Sequence, residues 1–182
     1  HEMGIYDKTE EDIISTFGAR AQEAVPFLTG NTDPAFVPVY MKRSGEYEEE
    51  FIQEKAAYYD GVLDMLVALR EKGYLTAICS NSSTRYITMV LKRLGLLEYI
   101  DFIQPLVPDM QKDDTLRLLL EQVAPEKAVM VGDRFYDKMA ARANRIPFIG
   151  CLYGFRPDEV ADADAPVTSA ADIPLAVDSL IG

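Results

Sequence analysis

The chain has 182 residues, 48% of them hydrophobic, and a formal net charge of −12. That length suits one ordinary domain, or a domain with a small insert, and the negative charge argues against nucleic acid or an anionic membrane as partner. No apolar run reaches membrane-spanning length. The polar, acidic start reads as no secretory leader, so the cytoplasm is the expected location. Cys79 and Cys151 both lie in apolar, strand-like runs and are expected as reduced core residues rather than a bridge.

Residues 1–58 read as all helix. Thr9-Glu10-Glu11-Asp12 has the form of a capping box ahead of Ile13, Ile14 and Phe17, and Gly18 stops that helix. A short helix follows from Ala21 to Leu28. A third carries Phe36, Val39 and Tyr40, and a fourth carries Phe51, Ile52 and Tyr58. Between them Glu46 and Glu48-Glu49-Glu50 read as a solvated face.

After Asp60-Gly61 the pattern changes to alternating helix and strand. Val62, Met65, Leu66 and Leu69 keep helical spacing up to Gly73, and Tyr74–Cys79 is a short buried strand. Ile87, Val90, Leu91 and Leu94 make a helix closed by Gly95. Phe102–Val107 is strand-like, weakened by Pro105. Leu116, Leu119, Leu120 and Val123 predict a helix, Ala128–Val131 a strand, Met139–Ala143 a helix and Ile146–Ile149 a strand. The Ala/Asp segment Val160–Ala165 reads as a surface connection. Such alternation predicts right-handed βαβ units and a parallel sheet covered by helices.

The chemistry concentrates at strand ends. The run Ala128–Val131 ends in Gly132-Asp133, and Asp137 comes four residues on. Asp133 then sits at the carboxyl end of a strand, where open α/β sheets bind their ligands, and Asp137 enters the next helix facing the same crevice. Two carboxylates ~5 Å apart repel by about 3 kcal/mol at an effective dielectric of about 20, a repulsion that a hard divalent cation offsets. The plainer alternative is a helix cap plus a charge complementing the helix dipole. Ser80-Asn81-Ser82-Ser83, after the first predicted strand, offers either N-caps or donors to phosphate oxygens. Lys112, just ahead of the Leu116 helix, is either solvated or the point charge that a transferring phosphoryl group requires.

Taken in order, the strand ending in Ser80, then Lys112, then Gly132-Asp133 with Asp137 resembles the second, third and fourth signatures of the haloacid dehalogenase superfamily, in its phosphoglycolate-phosphatase-like branch. Tyr59-Asp60-Gly61-Val62 resembles the re-entry into that family's core, and Tyr153-Gly154-Phe155 with Asp158-Glu159-Val160 its C-terminal turn and helix. The resemblance implies a Rossmann-like three-layer α/β/α core with a parallel sheet over residues 59–182, and a small all-helical cap domain over 1–58. It implies a Mg²⁺-dependent phosphatase acting on a small phosphorylated metabolite. Ser80, Asn81 and Lys112 would bind phosphate, Lys112 and Asp137 would be catalytic, and Asp133 and Asp137 would hold Mg²⁺. Arg134 stands where the family often has Ser or Thr, a change that could alter the charge of the site. Asn144-Arg145 replaces a common Ala-Gly, with Asn144 expected in the left-handed helix cap.

The first family signature, an apolar strand ending in DxDGT that supplies nucleophile and general acid/base, is absent. Asp7-Lys8-Thr9 does not replace it, because only Gly4-Ile5-Tyr6 precedes it, and the stretch around Met3-Gly4 resembles a segment downstream of the nucleophile in relatives. The chain is therefore expected to begin after that strand and to lack turnover as written. By the resemblance that strand is central, flanked by those carrying Ser80 and Asp133, so without it two strand edges would face each other with unpaired N–H and C=O groups. A folded sample is therefore expected to contain the upstream segment or to fill its slot another way, such as with a strand from a neighbouring chain. Two alternatives remain: a non-catalytic relative binding a phosphorylated ligand or protein partner, and a phosphomutase or pyrophosphatase sharing these signatures. A phospho-acceptor signalling module orders its acids before its hydroxyl and lysine, opposite to this chain. No glycine-rich nucleotide motif is present.

Overall fold

The structure, a computed structural model, describes residues 7–182. The expectations placed on Met3-Gly4 and Gly4-Ile5-Tyr6 lie outside the described residues. The chain divides into two compact units, residues 1–56 and residues 57–182.

The first unit is helical: α1 (Glu10–Ser15), α2 (Ala21–Thr29) and α3 (Phe36–Lys55). Thr9 caps α1 as expected, its hydroxyl accepting from the Asp12 N–H at 3.1 Å while the Asp12 carboxylate accepts from the Thr9 N–H at 2.8 Å. The third and fourth predicted helices are one 20-residue helix, and Tyr58 lies beyond its end. Gly45 does not break it, because a glycine within a helix costs only about 1 kcal/mol. The Arg43–Glu46 pair at 2.6 Å bridges the same turn.

The second unit alternates as expected: α4 (Val62–Glu71), β1 (Ala77–Cys79), α5 (Thr84–Leu94), β2 (Phe102–Gln104), α6 (Lys112–Val123), β3 (Met130–Gly132), α7 (Phe135–Ala143), β4 (Phe148–Cys151), α8 (Pro157–Val160), β5 (Ala165–Val167) and α9 (Ile173–Ile181). Gly61 opens α4 and Gly95 closes α5, both at positive φ where a Cβ would be strained. β2 stops before Pro105, which lacks the N–H that a sheet ladder needs. The sequence reading missed β5 and α9. Val160–Ala165 is more than a connection, since Val160 is fully buried and the Asp164 carboxylate accepts from the Phe148 N–H at 2.8 Å. The left-handed residue after α7 is Arg145 rather than Asn144. Asn144 instead donates from its side chain to the Asp113 and Ala140 carbonyls, both at 2.9 Å.

All described strand pairs are parallel, but they form two sheets. β1 pairs with β2, with Cys79 opposite Gln104. β3 pairs with β4 and β4 with β5, with Gly132 opposite Gly150. β1 is half-buried rather than buried, whereas β4 is buried along its whole length, with Phe148 and Ile149 almost fully enclosed. A cavity of about 820 Å³ separates the sheets, walled by Ala77, Ile78 and Cys79 on one side and Met130 and Val131 on the other. The Ser80 N–H donates to the Gln104 carbonyl and the Met130 N–H to the Pro147 carbonyl, both at 3.0 Å. Strand amides alternate in direction. Those of Ala77, Cys79 and Val131 therefore point away from β2 and β4, towards the cavity.

Candidate functional site

The carboxyl ends of β1 and β3 open towards the start of α6 and α7, which is where the sequence placed the chemistry. Ser80 follows β1 directly, and its hydroxyl accepts from the Ser82 N–H at 3.1 Å. The α5 cap is Ser83, whose hydroxyl accepts from the Tyr86 N–H at 3.3 Å. The α5 cap therefore falls to Ser83 and not to Ser80. Asn81 is half-buried in the same turn.

Lys112 is the first residue of α6 rather than the one before it. Its ammonium forms an ion pair with Asp137 Oδ1, and both side chains are little exposed, at 13% and 10%. The other Asp137 oxygen, Oδ2, accepts from the Arg134 N–H at 3.2 Å. Gly132 makes room for this, since a Cβ there would come closer to the Asp137 carboxylate than the 3.0 Å that real Cβ atoms keep. Cys79 and Asp137 line the same cavity. The Cys79 thiol is pushed up to about 11, by burial first and despite the nearby Lys112 charge, so it stays protonated at neutral pH. Burial also pushes the Cys151 thiol up, against a hydrogen bond with Tyr153. Both cysteines are unbridged.

Asp133 lies between β3 and α7 and is held from a different direction. Its Oδ2 accepts from the Phe155 N–H at 2.8 Å. Arg134, buried at 6% exposure, donates through Nε to Glu159 Oε2 at 3.0 Å, and Glu159 also accepts from the Phe135 N–H at 2.8 Å. Burial alone would raise the Glu159 carboxyl. The Arg134 and Phe135 donors, with the Arg134 and Arg156 charges, overcome that and hold it below the usual range. Arg134 therefore adds no uncompensated charge to the site.

Asp133 and Asp137 thus have separate partners, Lys112 and the Arg134 N–H for Asp137 and the Phe155 N–H for Asp133. Among the described residues no group of three or more His, Cys, Asp or Glu side chains forms a ready cage for a metal ion. Mg²⁺ does not require one: it binds through one or two carboxylates and keeps waters or substrate oxygens. Asp133 fits that role, with a hard carboxylate fixed at one oxygen by Phe155. Asp137 has both oxygens engaged, which suits it to holding Lys112. Sequence reading missed Phe155, Glu159 and the packing of Gly154. The signal available for Gly154 was a glycine just after a buried strand, a sign of close backbone approach.

Fold and site together define the class. A family model for haloacid dehalogenase-like hydrolases matches residues 1–151, and the chain belongs to that family. It is 32% identical over 163 residues to a phosphoglycolate phosphatase from Thiobacillus denitrificans, an alignment covering 82% of this chain and 70% of that protein. The phosphoglycolate phosphatase of Escherichia coli K12 is 29% identical over 138 residues, covering 71% of this chain and 54% of that protein, so the chain spans about half of that relative's length. A solved haloacid dehalogenase-like hydrolase from Bacteroides fragilis superposes with a TM-score of 0.85 at 20% identity, covering 94% of this chain and 86% of that one. At that identity the likeness concerns the fold alone.

Proposed function

We propose that the chain forms the metal- and phosphate-handling part of a Mg²⁺-dependent phosphatase for a small, phosphoglycolate-like phosphomonoester in the cytoplasm. The observation that carries this reading is the buried Lys112–Asp137 pair, which joins residues 25 positions apart beside the junction that holds Asp133. Lys112 supplies local positive charge in a protein of net charge −12, and a fixed cation near a phosphoryl group is worth far more in a partly desolvated site than in water. Asp137 orients that cation. Ser80 and Asn81 offer donors to phosphate oxygens. Asp133 would hold Mg²⁺, which when bound neutralises phosphoryl charge. Residues 1–58 would form the small helical cap domain.

By the family resemblance, the phosphoryl group passes to an aspartate on an apolar strand ending in DxDGT, forming an aspartyl-phosphate. No residue of this chain matches that strand. The cavity between β1 and β3, with strand amides turned into it from both sides, has the apolar walls and edge geometry to seat it.

The test is a fusion that places such a strand ahead of residue 1, assayed for phosphate release from 2-phosphoglycolate. Mg²⁺-dependent release is expected, with Asp133→Asn abolishing it and Ser80→Ala chiefly raising KM. Undiminished turnover in excess chelator would contradict the proposal.

A further inference from the structure

Two glycines lie directly against the two carboxylates. Gly132 backs Asp137, and Gly154 backs Asp133: a Cβ on Gly154 would come closer than 3.0 Å to the Asp133 Cβ and carboxylate. Gly154 is not one of the positive-φ residues. Its requirement is space, not backbone conformation. It sits in a turn after β4, its N–H donating to the Cys151 carbonyl at 3.1 Å, and the next residue donates the 2.8 Å hydrogen bond to Asp133 Oδ2. α8, the helix that follows the turn, is also tied to the start of α7, by Glu159 accepting from both Arg134 and Phe135.

We propose that Gly154 and the Phe155 N–H are positioning elements for Asp133. The absence of a side chain at 154 lets the turn lie flat on the carboxylate, and the Phe155 amide fixes its rotation so that Oδ1 faces the site. The metal consequence rests on the reading of Asp133 as the Mg²⁺ carboxylate. The positional claim does not. The Phe155 ring is exposed and makes no part of the argument, since the donor is its backbone.

The experiment uses the 182-residue chain and the variants Gly154→Ala, Phe155→Ala and Asp133→Ala, with two readouts. The first is hydrogen exchange and the ¹H–¹⁵N shift of the Phe155 amide without metal. Protection should fall in Gly154→Ala and in Asp133→Ala, which removes the acceptor, and persist in Phe155→Ala, which keeps the donor. An unchanged Phe155 amide in Gly154→Ala overturns the proposal, provided thermal unfolding shows that variant folded. A variant that fails to fold is replaced by Asp133→Ala alone, where an unchanged amide overturns it equally. The second readout is Mn²⁺ affinity by paramagnetic broadening. Loss of a carboxylate's supporting contact weakens metal by about tenfold to a hundredfold, and Gly154→Ala should do so while Phe155→Ala should not. Mn²⁺ affinity in Gly154→Ala equal to that of the parent also overturns it. If the parent shows no Asp133-dependent Mn²⁺ binding while the amide responds, the metal reading of Asp133 falls and the positioning of Asp133 stands.

Discussion

The two sheets of the core unit flank one cavity but are built to different standards. In the three-stranded sheet β4 is enclosed throughout and packs with Val167, Ile173 and Val177. α7 is pinned by buried Lys138, which donates to the Glu159 carbonyl and to Asp162 at 2.5 and 2.7 Å. In the two-stranded sheet β1 is partly exposed, Leu75 ahead of it is 65% exposed, and one edge faces the cavity. The functional groups divide along the same line. Asp133 and Asp137 come from the well-packed side, and Ser80 and Asn81 from the open one. Asp133 is thus held by the turn after β4 and Asp137 by Lys112 of α6 and the Arg134 N–H, while the Ser80–Asn81 turn follows a partly exposed strand.

That contrast can be broken by mutation. The largest loss is expected for Phe148→Ala, about 3–5 kcal/mol by urea denaturation, because a buried ring leaves a cavity in a packed sheet. Lys112→Met should cost a similar ~3–5 kcal/mol, since it leaves Asp137 buried without its cation. A Lys112→Met loss below about 1 kcal/mol would mean that the pair is solvated and the site looser than described. Ile78→Ala, on the open sheet, should cost only about 1 kcal/mol. An Ile78→Ala effect equal to that of Phe148→Ala would erase the difference between the halves.

The smallest expected effect is one of pH. The Lys138 and Arg142 hydrogen bonds hold the Asp162 carboxyl at about 2, below its usual value. A carboxyl lowered in the folded state stabilises the fold above its unfolded value, about 3.9, and loses that contribution as pH falls through the folded value. The Tm gap between the parent and Asp162→Asn should therefore be constant from pH 7 to about 5 and close as pH falls below 4 towards 2. A gap that widens on acidification contradicts the assignment.

The order of the chemistry was legible in the sequence because each group stands at a punctuation mark: Ser80 after an apolar run, Lys112 at a helix start, Asp133 after Val131-Gly132. Helical spacing likewise revealed α4 to α7. Other features had no local signal. Arg134 and Glu159 meet across 25 residues with no periodicity to link them. α3 read as two helices because its glutamate-rich middle interrupts the apolar stripe, although charged residues continue a helix well. β5 was hidden by its composition, three residues of Ala-Pro-Val after a run of Ala and Asp. The closeness of Gly154 to Asp133 is a tertiary contact: a glycine just after a buried strand signals a close approach, but not the residue approached.

The central structural claim is a site divided between β1 and β3, which among the described residues belong to separate parallel sheets with an open edge each. Native-state hydrogen exchange on the 182-residue chain tests it most directly. The amides of Ile78 and Met130, turned towards β2 and β4, and that of Ile149 within β4 should exchange slowly. Those of Cys79 and Val131, turned into the cavity, should exchange orders of magnitude faster without global unfolding. Protection of Cys79 and Val131 equal to that of Ile149 would show the two edges already paired, and would contradict the open sheet.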